Sequence, residues 1–188
     1  MDVIVIFGPP AVGKMTVGMA LAEQTGYRLF HNHMTLELVN NFFEFEDPEF
    51  WPLVRQIREQ LFAAIKHSDM KGLIYTFVWA LDEEKDRQSL EKYCAAMGVS
   101  VENVLFVELT ADTYTRLNRN KTELRLAEKK SKNNLEKSEA NLLDFDNKHQ
   151  MNSADDFIYP NHIKIDNSDL SPQQTAEKIA LHFELPRK

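Results

Sequence analysis

Cysteine is almost missing from these 188 residues: Cys94 stands alone, so no internal disulfide is available and the chain suits a reducing compartment. No low-pKa setting is legible around it, which points to a buried structural thiol rather than a nucleophile. Long apolar runs are missing too. None approaches the ~20 residues of a membrane span, and no basic stretch precedes the first apolar residues as it does in a secretory leader. Positive charge is in deficit, with 22 Lys and Arg against 29 Asp and Glu and a net charge of −7. That argues against a general nucleic-acid-binding surface and leaves room for a local basic site that meets a phosphate. Internal repeats and low-complexity linkers are also lacking. These absences predict a cytoplasmic protein with neither a nucleic-acid nor a membrane partner; they set no oligomeric state. The 43% hydrophobic content is enough for one core, so a single domain over 1–188 is expected.

What is present is an alternation. Runs rich in β-branched and aromatic residues predict strands at Val3–Phe7, Tyr27–Phe30, Leu73–Trp79, Val104–Leu109 and His162–Asp166, of the kind covered on both faces. Helical patterns fall between and after them, at Lys14–Gln24, Thr35–Phe43, Pro48–His67, Glu83–Met97, Asp112–Lys130, 135–149 and 172–184. Strand and helix in turn predict crossover units and a parallel sheet: an α/β, three-layer fold. Gly26 and Gly98 stand where helix C-caps belong, and Ser171-Pro172 reads as an N-cap followed by proline at the first helical position.

The first junction carries the sharpest signal. In VIVIFGPPAVGKMTVG, Gly8 and Gly13 bracket Pro9, Pro10, Ala11 and Val12, and Lys14 follows. Glycine at each end permits backbone angles that turn successive N–H groups inward around an anion. The helix that follows adds its positive end and Lys14 a full charge. The pattern sits at the strand-to-helix junction its mechanism requires, which separates it from a plain turn. Phosphate loops usually place a hydroxyl after the lysine for magnesium; here Met15 stands there and Thr16 comes next.

That string resembles the loop of adenylate kinase and its nucleoside monophosphate kinase relatives, whose G-x-P-G-x-G-K-G-T pattern also lacks a hydroxyl directly after lysine. The resemblance implies magnesium held largely through water and a threonine, matching Thr16, against the phosphates. Ala11 in place of a glycine and the bulky Met15 are departures that bear on metal placement. Over the whole chain the order of elements resembles the small P-loop kinases, such as shikimate and gluconate kinases and the chloramphenicol phosphotransferase type. These share a five-stranded parallel sheet, a helical substrate-binding segment after the second strand (here about 32–70) and an arginine-bearing lid after the fourth (about 119–150).

On that resemblance the ends of strands two and three face the acceptor. Where such kinases often carry an aspartate, this chain has His31, Asn32 and His33. Either histidine suits a general base, His33 first, or one caps the next helix while the other packs. The letters H-N-H also name a nuclease motif, but its hairpin and metal ligands are not here. Asp82, the first carboxylate after strand three, is either a magnesium ligand or part of the acidic helix start DEEKD. Phe42, Phe43, Phe45, Phe50 and Trp51 offer rings for stacking or a helix-pair interface. Arg55 and Arg58, three apart, offer a grip on an anionic group.

Eight Lys or Arg fall among the 22 residues from Arg116 to Lys137, either as a solvated helical face or as the lid. The resemblance makes Arg119, then Arg125 and Arg116, the cations that close over the transferring phosphoryl or the nucleotide. It also places Asp166, Asn167 and Ser168 against the adenine. The function implied is an ATP-dependent phosphotransferase using Mg2+ and a small-molecule acceptor. Two alternatives stand beside it: a nucleoside monophosphate kinase, which the absence of a DGFPR stretch disfavours, and an ATP-binding switch without transfer, which the missing carboxylates keep open.

Overall fold

Side chains along β1 (Asp2–Phe7) point alternately to two separate cores. Val3, Val5 and Phe7 join one, with Tyr75, Phe106, Phe62 and Tyr93; Ile4 and Ile6 join the other, with Ile74, Val107, Leu21 and Ile179. These five residues of β1 are fully or almost fully buried, so from Val3 onward the strand is apolar on both faces, as a central strand of a covered sheet must be. The computed structural model describes residues 1–122, 134–154 and 157–188. Its other strands are β2 (Arg28–His31), β3 (Gly72–Thr76), β4 (Leu105–Thr110) and β5 (His162–Asp166). All pairings are parallel, in the order β2-β3-β1-β4-β5. The helices are α1 (Lys14–Thr25), α2 (His33–Asn40), α3 (Phe50–Lys66), α4 (Glu84–Ala96), α5 (Thr113–Asn120), α6 (Leu135–Lys148) and α7 (Pro172–His182). α3 and α4 cover one face; α1 and α7 cover the other.

This is the α/β parallel-sheet fold expected, with three boundary differences that have physical causes. β3 stops at Thr76 rather than Trp79, where its pairing ends: Thr76 pairs with His31, the last residue of β2, and with Ile6 of β1, and beyond it Phe77 N reaches back to Ile6 O at 2.9 Å. The apolar run continues only because Phe77 and Trp79 bury their rings, Trp79 lying 5.2 Å from Phe7. α2 starts at His33, two residues earlier than expected, with Asn32 preceding it. α5 ends at Asn120, not Lys130, its carboxamide buried against Ser138 Oγ at 3.0 Å. The capping signals hold: Gly26 and Gly98 take φ of 75° and 72°. Ser171 Oγ accepts from Gln174 N while Gln174 Oε1 accepts from Ser171 N. Among the described residues no helix is long and apolar enough to cross a membrane.

A buried charge gave no sequence signal. Glu108, on β4 between the two cores, is wholly inaccessible. It accepts hydrogen bonds from Ser153 Oγ (2.5 Å), Ser153 N (2.9 Å) and Asn152 Nδ2 (2.9 Å), and lies 3.0 Å from His162 Nε2. Lys164 Nζ stands 3.5 Å away. Burial alone would raise the carboxyl, but the bonds from His162, Ser153 and Asn152 outweigh it and hold it down at about 2. The cluster thereby ties the segment after α6 to the centre of the sheet.

The sign of the pH effect follows. Glu108 ionises lower in the folded chain than in the unfolded one, so its contribution is complete above the unfolded value of ~4.3 and is lost as pH falls from there toward about 2. Denaturant melts should show on the order of 3 kcal/mol of acid-labile stability that is missing in Glu108→Gln. The same acid slope in both proteins would contradict this.

Candidate functional site

The loop between β1 and α1 is shaped by its backbone. Gly8 has φ +133°, and a Cβ there would lie 2.3 Å from the Leu109 carbonyl oxygen of β4, so only glycine passes. Pro9 and Pro10 fix their own φ angles. Ala11 then takes φ 62° and Gly13 φ +105°. Ala11 occupies the left-handed region without being glycine, a strain of roughly 1–2 kcal/mol. Val12 N donates to Pro9 O at 3.4 Å, while the Val12 side chain is fully buried in the α1 core.

Two groups brace the loop from the β5 side. Asn167, just beyond β5 and 2% exposed, donates Nδ2 to Val12 O at 2.9 Å. Arg119 donates to the same carbonyl at 3.1 Å, to Asn167 Oδ1 at 2.9 Å and to Asn167 O at 2.7 Å. Burial lowers the Arg119 pKa from its ordinary value, with Asp112 and Asp166 acting the other way. Lys14 lies along the loop, donating to Gly8 O at 2.6 Å and Pro9 O at 2.8 Å, and Thr16 Oγ1 donates to Gly13 O at 2.9 Å. The ammonium thus rests on carbonyls at the mouth of the turn, where a phosphate would compete for it.

The loop opens onto a cavity of about 360 Å³. Pro10, Ala11, Lys14 and Met15 form its floor. His31 and Asn32 at the end of β2, His33 on α2, and Thr76 and Val78 at the end of β3 form one wall. Phe45, Glu46 and Trp51 stand at the α2–α3 side. The opposite wall is one face of α6, with Lys137, Ser138, Asn141, Leu142 and Phe145 at helical spacing and Asn134 just before them. Such an enclosure, with convergent polar groups beside the β1–α1 loop, suits a small polar ligand.

The predicted residues divide. Gly8, Pro9, Pro10, Ala11, Val12, Gly13, Lys14, Met15 and Thr16 form the loop and the first turn of α1; His31, Asn32 and His33 line the cavity with Lys14. Arg119 does not line it; it and Asn167 brace the loop from behind. Arg116, 4% exposed, is ion-paired with Asp146 of α6 and reaches Pro10 O at 3.4 Å, so it fastens α6 to the loop. Asp166 accepts from Ser168 N and Oγ, forming the turn after β5. Arg125 lies outside the described residues.

Arg55 and Arg58 do not share a face as their spacing suggested. Arg55 is exposed, whereas Arg58 is buried, donating Nε to Thr35 Oγ1 at 2.8 Å and Nη2 to Asn32 O at 2.9 Å. Asp82 does not line the cavity either. It accepts from Gln150 N at 2.9 Å, which with His149 nearby lowers its pKa from the ordinary value. Of the five aromatics, Phe45 and Trp51 reach the cavity, Phe50 is buried beneath them, Phe43 packs beside Phe50, and Phe42 is 77% exposed. Lys137, Asn141, Thr76 and Glu46 were missed. The spacing of 134, 137/138, 141/142 and 145 was a legible stripe, but nothing in it says which way the stripe faces.

A resident metal finds little support from the protein alone. Among the described residues no group of three or more His, Cys, Asp or Glu could hold one, and Glu46 is the carboxylate in the cavity wall. The donors fit an ion that arrives on a polyphosphate and keeps much of its water.

No family model and no curated protein matches the chain. Solved structures match over almost the whole length. A sugar kinase from Janibacter is 16% identical over 98% of this chain and 95% of its own, with a TM-score of 0.59. A tunicamycin resistance protein from Deinococcus radiodurans is 20% identical over 100% and 98%, at 0.57. A shikimate kinase from Acinetobacter baumannii, solved with shikimate, is 16% identical over 98% and 94%, at 0.55. At these identities the likeness is one of fold: the chain has the fold of the shikimate and gluconate kinase-like P-loop kinases.

Two substitutions separate backbone shape from side-chain chemistry in the loop. Gly8→Ala should destabilise by roughly 2–4 kcal/mol, since its Cβ meets a backbone oxygen that has no room to move. Ala11→Gly should leave stability unchanged or raise it by up to ~1 kcal/mol, because strain relief offsets the added freedom of the unfolded chain. Thermal melts that ranked the two the other way would show that the loop is shaped differently.

Proposed function

We propose that this protein is an ATP-dependent phosphotransferase that moves the γ-phosphoryl of ATP to a hydroxyl of a small molecule. The observation that carries the reading is the continuity of the loop with the cavity: Lys14 belongs to both. The amides of residues 11–16 and the Lys14 ammonium hold the β- and γ-phosphates, with Thr16 beside them. Thr16 would help hold a magnesium ion arriving with the nucleotide, which would supply charge neutralisation. The acceptor sits between the His31–His33 corner and α6, with Phe45 and Trp51 as its apolar wall. Kinases named for sugar, gluconate and shikimate among the structural neighbours support a hydroxylated acceptor.

In the transfer the acceptor O–H bond breaks and its proton passes to His33. The freed oxygen bonds to the γ-phosphorus as the bond to the β-phosphate oxygen breaks, and ADP leaves. Lys137, across the cavity from Lys14, and Arg125 of the lid segment provide positive charge as the phosphoryl moves. Arg119 and Arg116 act by holding the loop and α6. Such catalysis is mainly positioning and electrostatics. A monophosphate acceptor is disfavoured because no DGFPR stretch follows β3 in the sequence. An ATP-binding switch is the second reading, favoured by Thr76 and Val78 standing at the end of β3 where a carboxylate would be expected.

Calorimetry with MgATP and a screen of ATP consumption over hydroxylated metabolites, antibiotics and nucleotides test this directly. Binding with transfer to a hydroxylated compound is expected; binding without transfer to any compound would favour the switch. Lys14→Ala should weaken ATP binding at least tenfold or abolish turnover with the fold intact, and unchanged binding and rate would remove the loop from the mechanism. His33→Ala should lower kcat by roughly 10²–10⁴ while ATP affinity stays within a few-fold; equal kcat would exclude His33 as the base.

A further inference from the structure

His33 is the first residue of α2, and Glu37 stands one turn later on the same face. Glu37 Oε1 lies 3.2 Å from His33 Nδ1, with the imidazole 10% and the carboxylate 20% exposed. The pair is anchored through its backbone on two sides. Asn32 N donates to Thr76 Oγ1 at 3.0 Å, tying the start of α2 to β3. Arg58 reaches in from α3 to hold Asn32 O and Thr35 Oγ1. The ring itself lines the cavity that Lys14 floors. An ordinary i, i+4 surface pair would have neither the burial nor the second set of anchors.

We infer that Glu37 is the positioning residue for His33. By accepting the Nδ1 hydrogen it selects the tautomer whose lone pair lies on Nε2, and it holds the ring so that Nε2 takes the acceptor's proton. A neutral imidazole has one donor and one acceptor nitrogen, and the partner of the first decides the role of the second. The inference rests on the phosphotransferase reading and adds to it a residue that no motif singles out. Among the described residues, the other titratable groups facing the same cavity are Lys14 from the loop, His31 from β2, Glu46 from the α2–α3 connection and Lys137 from α6.

The test uses the full chain with 15N-labelled histidine side chains. NMR should find neutral His33 protonated on Nδ1 in the wild type and shifted toward Nε2 protonation in Glu37→Leu. Glu37→Gln, which keeps an acceptor oxygen, should preserve the Nδ1 proton. Turnover of MgATP with the acceptor should fall about 10–100-fold in kcat in Glu37→Leu, with KM for ATP within twofold, and recover largely in Glu37→Gln. Nε2 protonation in the wild type, an unchanged tautomer in Glu37→Leu, or an unchanged kcat would each overturn the role of Glu37. Uniformly 15N-labelled protein titrated with MgADP reports on the loop amides: if Gly13 and Lys14 do not respond, the phosphotransferase reading fails, whatever the tautomer of His33.

Discussion

The Val12 carbonyl is where the sheet, the loop and α5 meet. Its residue's side chain is buried under α1, and its oxygen receives Asn167 from the end of β5 and Arg119 from α5. With that oxygen held, the left-handed steps at Ala11 and Gly13 on either side have a fixed direction. The positive end of α1 is then aimed into the cavity rather than at solvent. Gly8 fixes the other end by passing against Leu109 O. That same oxygen accepts from Asn152, whose neighbour Ser153 holds Glu108. The β1–α1 loop and the return of the chain after α6 therefore share one anchor on β4.

This arrangement gives the cations different work. Arg58, Arg116 and Arg119 are tied to carbonyls, Thr35, Asp146 or Asn167, where planar, multiply bonded guanidinium groups make rigid braces. The cavity instead receives two lysines, Lys14 and Lys137, whose compact charges on flexible stems suit the phosphoryl transfer proposed above. α6 reaches the cavity because Arg116 holds Asp146 on one side and Asn120 holds Ser138 on the other. Neither contact joins residues near in sequence.

Much of this was legible from the residues. Alternating strand and helix patterns predicted the parallel sheet, and Gly8, Gly13 and Lys14 predicted the loop, because local backbone demands leave local marks. Gly26 and Ser171 marked helix ends for the same reason. The arginines were not legible. Arg55 and Arg58 differ by less than one helical turn, and which of them is buried depends on where Asn32 and Thr35 arrive from another part of the chain. Arg119 likewise was expected over the phosphoryl and braces the loop instead. β3 was extended too far because the buried rings of Phe77 and Trp79 continue the apolar run past Thr76, the last residue paired with its neighbours. Glu108 was invisible, since a lone acid in an apolar run reveals its partners only after folding.

The central claim is that the bracketed loop exists to seat nucleotide phosphates. A crystal structure with magnesium and a non-hydrolysable ATP analogue tests it most directly. The β-phosphate should lie among the amides of residues 11–16, with Lys14 Nζ withdrawn from the Gly8 and Pro9 carbonyls onto phosphate oxygens. A nucleotide bound elsewhere, with Lys14 still on those two carbonyls, would contradict it.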